Sequence, residues 1–164
     1  MITPVTASNS NLLYQALQKK TPDGKTEAYK PKRTSIFYIN DFHGKSINIE
    51  RTVTASNAFD HFVPSVPTDK LKLSSGDIQL GEPVPANRVM VEAQNIMGIM
   101  ASAMGNHEYD TPEHIAELIP HMGYKMLACN INIKPDNPLY KKVEKSYIQE
   151  VNGNRYGIIG VSPV

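Results

Sequence analysis

A single cysteine, Cys129, is all the thiol this chain of 164 residues contains. One thiol makes neither an intramolecular disulfide nor a thiolate cluster for zinc, so any metal must be held by oxygen and imidazole. Charge of one sign is lacking too: 17 Lys and Arg stand against 16 Asp and Glu, a net of +1. That balance gives no electrostatic pull towards a nucleic-acid polymer or an anionic membrane surface. No stretch approaches the roughly 18 apolar residues of a membrane helix. Residues 1–20 lack a basic start followed by an apolar run, so with Met1 as the native start no export signal is seen and a cytoplasmic location is expected. Ten Gly, 12 Pro and 40% hydrophobic residues exclude a disordered or collagen-like chain. What is left is a globular chain of about one domain, able to bury roughly two-thirds of its unfolded surface.

Two regions differ in pattern. In residues 1–34, Ser8 or Ser10 suits the cap of a short helix carrying Leu12, Leu13, Ala16 and Leu17. Thr21-Pro22-Asp23-Gly24 then reads as a turn and 25–33 as a polar connector, so this region is expected to be a leader outside the core. The domain proper is expected over 35–164. It opens with Ser-Ile-Phe-Tyr-Ile-Asn, a short apolar, β-favouring run ending at Asp41-Phe42-His43-Gly44. A helix is predicted over 48–63, a strand over 70–74 running into Ser75-Gly76-Asp77, and a second helix over 86–97 stopped by Gly98. A strand over 99–104 delivers Gly105-Asn106-His107-Glu108. Thr111-Pro112 opens a third helix ending before Pro120, with the threonine hydroxyl as its cap. A fourth strand is predicted over 125–129, and a hairpin over 147–151 and 155–161 turns on Asn152-Gly153, whose residues accept the positive φ of a two-residue connection. This alternation argues for an α/β layered fold with a largely parallel sheet.

Three of the predicted strands end in a polar cluster. Ligands collect at the carboxyl ends of parallel strands, so Asp41/His43, Asp77 and Asn106/His107 are expected to converge despite their separation in sequence. Each alone has a plainer explanation: Asp41 capping a turn, Gly76-Asp77 as ordinary turn chemistry, and 105–108 as a strand-to-helix loop. Their order, each directly after a strand, is what favours a site. His61, His114 and His121 sit at or near helix ends, where capping or surface roles are expected. Cys129 is expected to be a small core residue.

In that order, Asp41-Phe42-His43, Gly76-Asp77 and Gly105-Asn106-His107-Glu108 resemble the motifs of the calcineurin-like metallophosphoesterases. The segments 39–44, 105–110, 127–131 and 156–161 are similar to the 5′-nucleotidase branch, and the resemblance runs from about Ser35 onwards. It implies a sandwich of two β-sheets flanked by helices, with two divalent ions such as Mn²⁺ or Zn²⁺. It implies hydrolysis of phosphate esters, nucleotides above all, as a 5′-nucleotidase or 2′,3′-cyclic phosphodiesterase performs. On the resemblance, Asp41 and His43 bind the first ion, Asp77 bridges, and Asn106 gives its amide oxygen to the second. His107 stabilises the transition state or protonates the leaving alkoxide, held in one tautomer by Asp110, which also suits a helix cap before Pro112. Asn106 and His107 then face the substrate. Asn130 touches the phosphate or orders its loop, or else simply ends a strand. No role for Glu108 is legible.

The family pattern continues with a further histidine and a Gly-His-x-His-like segment, which this sequence does not contain. The second ion is therefore expected to lack ligands, since a catalytic ion usually needs at least three from protein. The resemblance thus covers the first half of a catalytic domain. Two readings follow: an enzyme half that needs a downstream segment, or a non-catalytic metal- or phosphate-binding module that pairs with a partner chain or with itself. Members of the family are often exported.

Overall fold

The computed structural model describes residues 33–65, 68–79 and 84–163, together with Asp23 and Gly24. The expected leader helix and connector lie outside the described residues. Asp23 and Gly24 have turn geometry, Gly24 at φ 77°.

Among the described residues, six strands and three α-helices follow in chain order: β1 (Arg33–Ile39), α1 (Ile49–Phe62), β2 (Thr68–Ser74), α2 (Val84–Met97), β3 (Ala101–Ala103), α3 (Pro112–Leu118), β4 (Lys125–Leu127), β5 (Ser146–Val151) and β6 (Asn154–Ile159). Strands β1 to β4 form one parallel sheet in the order of the sequence. Strands in sequence order joined by right-handed crossovers place their helices on one face. Phe37 of β1 meets Phe59 of α1 on that face, ring centroids 5.7 Å apart. The core lies beneath the helices, around Ile78, Met90 and Met97 at one end and Met104, Ile115 and Leu118 at the other.

Strand β2 buries a charge within this layer. Lys72 is 6% exposed, and its Nζ donates to Ser56 Oγ at 2.8 Å, Asp60 Oδ2 at 2.5 Å and Met97 O at 2.8 Å. All three ammonium hydrogens are used, which is the condition for burying a lysine without a large cost. The side chain ties β2 to α1 and to the end of α2.

The predicted order of elements is observed, with shifts at the ends. β1 starts at Arg33, two residues before the expected domain boundary. The third strand is shorter than predicted, partly because the Ile99 N–H returns to Gln94 O while the Gly98 N–H bonds Asn95 O. Gly98, at φ 72°, thus closes α2 in a Schellman motif, and Ile99 belongs to the cap. The fourth strand also ends early: the Cys129 N–H bonds Gly160 O at 2.8 Å, and Cys129 is half-buried instead of a core residue. The expected threonine cap is absent: Thr111 makes no side-chain capping bond, and Pro112 occupies the start of α3 without an N–H to satisfy.

The hairpin turns on Asn152 and Gly153 as predicted, at φ 50° and 79°. It is docked by Asp69, fully buried at the start of β2, which accepts from Asn152 Nδ2 (2.8 Å), Asn154 Nδ2 (3.0 Å) and the Tyr156 hydroxyl (2.6 Å). Tyr156 also meets Thr34 Oγ1 of β1 at 3.2 Å. By strand alternation Ile36 and Tyr38 share the face of Thr34, opposite Phe37, and are 56% and 67% exposed. Ile148, Ile159 and Val161 are exposed as well.

Candidate metal centre

The site is built on loops that prolong the sheet beyond its strands. After β1, the N–H groups of Asp41, His43 and Gly44 bond the carbonyls of Gly76, Asp77 and Ile78 at 3.1, 3.0 and 3.0 Å. Phe42, 6% exposed, anchors the first loop in the core between the two polar residues. Asp41, His43 and Asp77 all have left-handed backbone, at φ 57°, 50° and 53°. Such conformations are costly for residues with a Cβ, persist where the surroundings enforce them, and gather at functional sites.

These three side chains converge. One ligand atom from each of Asp41, His43 and Asp77 lies within 4.8 Å of the others. His43 Nε2 is buried without a hydrogen-bond partner, and its 3.4 Å approach to Asp41 Oδ1 lacks hydrogen-bonding geometry. An orphaned imidazole nitrogen between two carboxylates is what a divalent cation would satisfy, so these residues fit one ion of the oxygen- and nitrogen-binding kind. Among the described residues no second group of three such ligands assembles. Asn40, beside the cluster in sequence, gives its amide to Asp41 Oδ2.

The third loop follows β3 and enters a 3₁₀ turn, His107–Tyr109, with Asn106 exposed immediately before it. The His107 N–H donates to Asp77 Oδ1 at 2.9 Å, and the His107 ring meets that of His43 edge-on, centroids 4.9 Å apart. His107 Nδ1 lies 2.7 Å from Asp110 Oδ2. That bond fixes the ring and leaves Nε2 as the atom able to exchange a proton. It also raises the His107 pKa above the ordinary imidazole value, against a smaller opposing effect of desolvation.

Glu108, without a legible role in the sequence, is 1% exposed and accepts four main-chain N–H groups, from Asp77, Ile78, Gln79 and Gly105. Burial pushes its carboxyl pKa up, and the four donors pull against that. The acidic residue in a run of loop signals was visible; three of its four partners, about 30 residues away, were not. Asn130 binds Ser162 with both ends of its amide, Nδ2 to Ser162 O at 2.8 Å and Oδ1 from Ser162 N at 2.9 Å. It therefore orders the loop after β4. His61, His114, His121 and Cys129 take no part in the cluster.

No family model and no curated protein matches this sequence. Solved structures do match its fold. A 5′-nucleotidase precursor from Thermus thermophilus superposes with a TM-score of 0.64 at 22% identity, over 77% of this chain and 28% of that one. The NAD nucleotidase NadN of Haemophilus influenzae gives 0.62 and 20%, over 79% and 26%. The fold, a parallel α/β layer, is thus shared with part of each of these nucleotidases. This chain spans about a quarter of the length of either nucleotidase. Among the described residues, no helix is long and apolar enough to cross a membrane.

Proposed function

We propose that this chain supplies the first half of a metal-dependent phosphoesterase centre acting on nucleotides, with residues 33–164, from β1 onwards, as the N-terminal part of the catalytic domain and the residues before β1 as a leader. The observation that carries this is the convergence of Asp41, His43 and Asp77 around an orphaned imidazole nitrogen, beside a histidine already paired with its own carboxylate. The nucleotide class is supported by the two structural neighbours, both nucleotidases.

In this reading Asp41, His43 and Asp77 would hold a divalent cation, and Asp77 and the Asn106 amide oxygen would contribute to a second. Cations bound there would neutralise the phosphate ester and acidify water. Asn106 contributes no charge, so the site keeps a positive balance suited to an anionic ester. His107, with its pKa raised by Asp110, is protonated over a wider pH range and gives a proton from Nε2 to the departing oxygen. Asp110 accepts from Nδ1 throughout and holds the tautomer. Asn130 keeps the neighbouring loop in place.

The second cation needs ligands beyond Asp77 and Asn106, and a downstream segment carrying histidines would supply them. The exposed apolar residues Ile36, Tyr38, Ile148, Ile159 and Val161 favour a companion reading, in which the chain associates with that segment or with another copy. Hydrolysis of bis-p-nitrophenyl phosphate and AMP in Mn²⁺, by the chain alone and with the downstream segment added, tests the assignment. Negligible turnover alone and turnover on addition are expected; no metal-dependent turnover in the assembled protein would overturn it. In the assembled enzyme His107→Ala should lower kcat by about 10² to 10⁴ with metal content unchanged. Loss of metal in that variant would make His107 a ligand.

A further inference from the structure

We propose that Glu108 is a positioning residue for the cation site, which rests on the metal-dependent reading above. Its carboxylate joins two loops that the sheet does not join. Oε2 accepts from Asp77 N at 3.0 Å and Gly105 N at 2.7 Å, and Oε1 accepts from Ile78 N at 3.0 Å and Gln79 N at 3.4 Å. Three of these donors belong to the loop after β2 that carries the shared ligand Asp77. The fourth belongs to the loop after β3 that carries Asn106 and His107.

The loops meet with no slack. A Cβ on Gly76 would strike the main chain of Gly105, and a Cβ on Gly105 would strike Asp77. The His107 N–H, in turn, holds Asp77 Oδ1 at 2.9 Å. Asp77, in a left-handed conformation that residues with a Cβ leave unless held, is thus fixed through its own N–H by Glu108 and through its carboxylate by His107. Only a carboxylate offers acceptors alone on both oxygens; a glutamine would turn an NH₂ towards N–H donors. Glu108 touches no atom that would meet a cation, and acts by setting where Asp77 stands relative to Asn106.

Titration of Mn²⁺ by calorimetry into wild type, Glu108→Gln and Leu118→Ala tests this. Leu118 is fully buried in the core, outside both loops, and its truncation destabilises the fold without touching the site. Glu108→Gln is expected to weaken Mn²⁺ binding by about 10- to 100-fold, the range for residues supporting metal ligands, while Leu118→Ala binds as wild type. Amide hydrogen exchange should show Asp77, Ile78 and Gly105 protected in wild type and opened in Glu108→Gln. Should that variant not fold, Glu108→Asp, charged but one methylene shorter, carries the same expectation. Wild-type affinity in the folded variant, equal losses in Glu108→Gln and Leu118→Ala, or fast exchange of these amides in wild type would overturn the proposal. Failure of wild type to bind Mn²⁺ while the amides stay protected would instead sink the metal reading and leave the clamp as a purely structural feature.

Discussion

His107 shows how a residue's neighbours decide its chemistry. Its Nδ1 pairs with Asp110, and the bond favours the imidazolium, so its pKa stands above the ordinary value of about 6.5. The linkage has a definite sign. The stabilisation from this pair is fully present below the unfolded pKa and is lost as pH rises through the raised folded one. An NMR titration of the His107 ring should therefore give a value above 6.5, and Asp110→Asn should bring it down. An unchanged value in Asp110→Asn would remove Asp110 as the cause. The pairing was expected from the resemblance, and residues three apart in a helical turn do face each other. The left-handed backbone of Asp41, His43 and Asp77 was not, since only their non-local bonds to the second loop enforce it.

At the scale of elements, the alternation of strands and helices was legible from apolar periodicity, and Gly98 and Asn152-Gly153 marked a helix end and a turn by the φ they permit. Strand β2 was harder to read, since it alternates lysine with leucine as a half-solvated strand would, yet Lys72 is buried. Its partners come from two different helices, which no local pattern reports. Lys72→Met keeps the side-chain stem in place and removes the donor to Ser56 Oγ, while Met97 O still accepts from the Ser56 hydroxyl at 3.2 Å. Asp60 is half exposed and re-solvates, so the expected loss is that of one buried acceptor, about 1–3 kcal/mol in urea unfolding. A variant as stable as wild type would show that the ion pair contributes nothing net. Element ends were the least legible part: β3 starts late because the Ile99 amide is taken by the α2 cap, and β4 stops before the Cys129 amide, which is taken by Gly160.

For the whole molecule, the sheet has helices on one face and only a two-stranded hairpin on the other, leaving Ile36 and Tyr38 exposed beside it. A face of this kind favours association. Light scattering should give the purified chain a mass above the 18.2 kDa of one copy, and Ile36→Ser with Tyr38→Ser should lower it. A monomer at high concentration would mean the exposed face needs no cover. The structural neighbours are about three times as long as this chain, and the match takes in about a quarter of each.

The central claim is that Asp41, His43 and Asp77 form one cation site, and calorimetric titration of Mn²⁺ into wild type and Asp77→Ala tests it most directly. Wild type should bind with a Kd in the low millimolar range or tighter, as expected for about three ligands drawn from carboxylate and imidazole. Asp77→Ala should lose at least about tenfold of that affinity. Equal affinity in the two proteins would contradict the account, because the residue that the fold holds in a strained conformation at the meeting of both loops would then have no part in binding the ion.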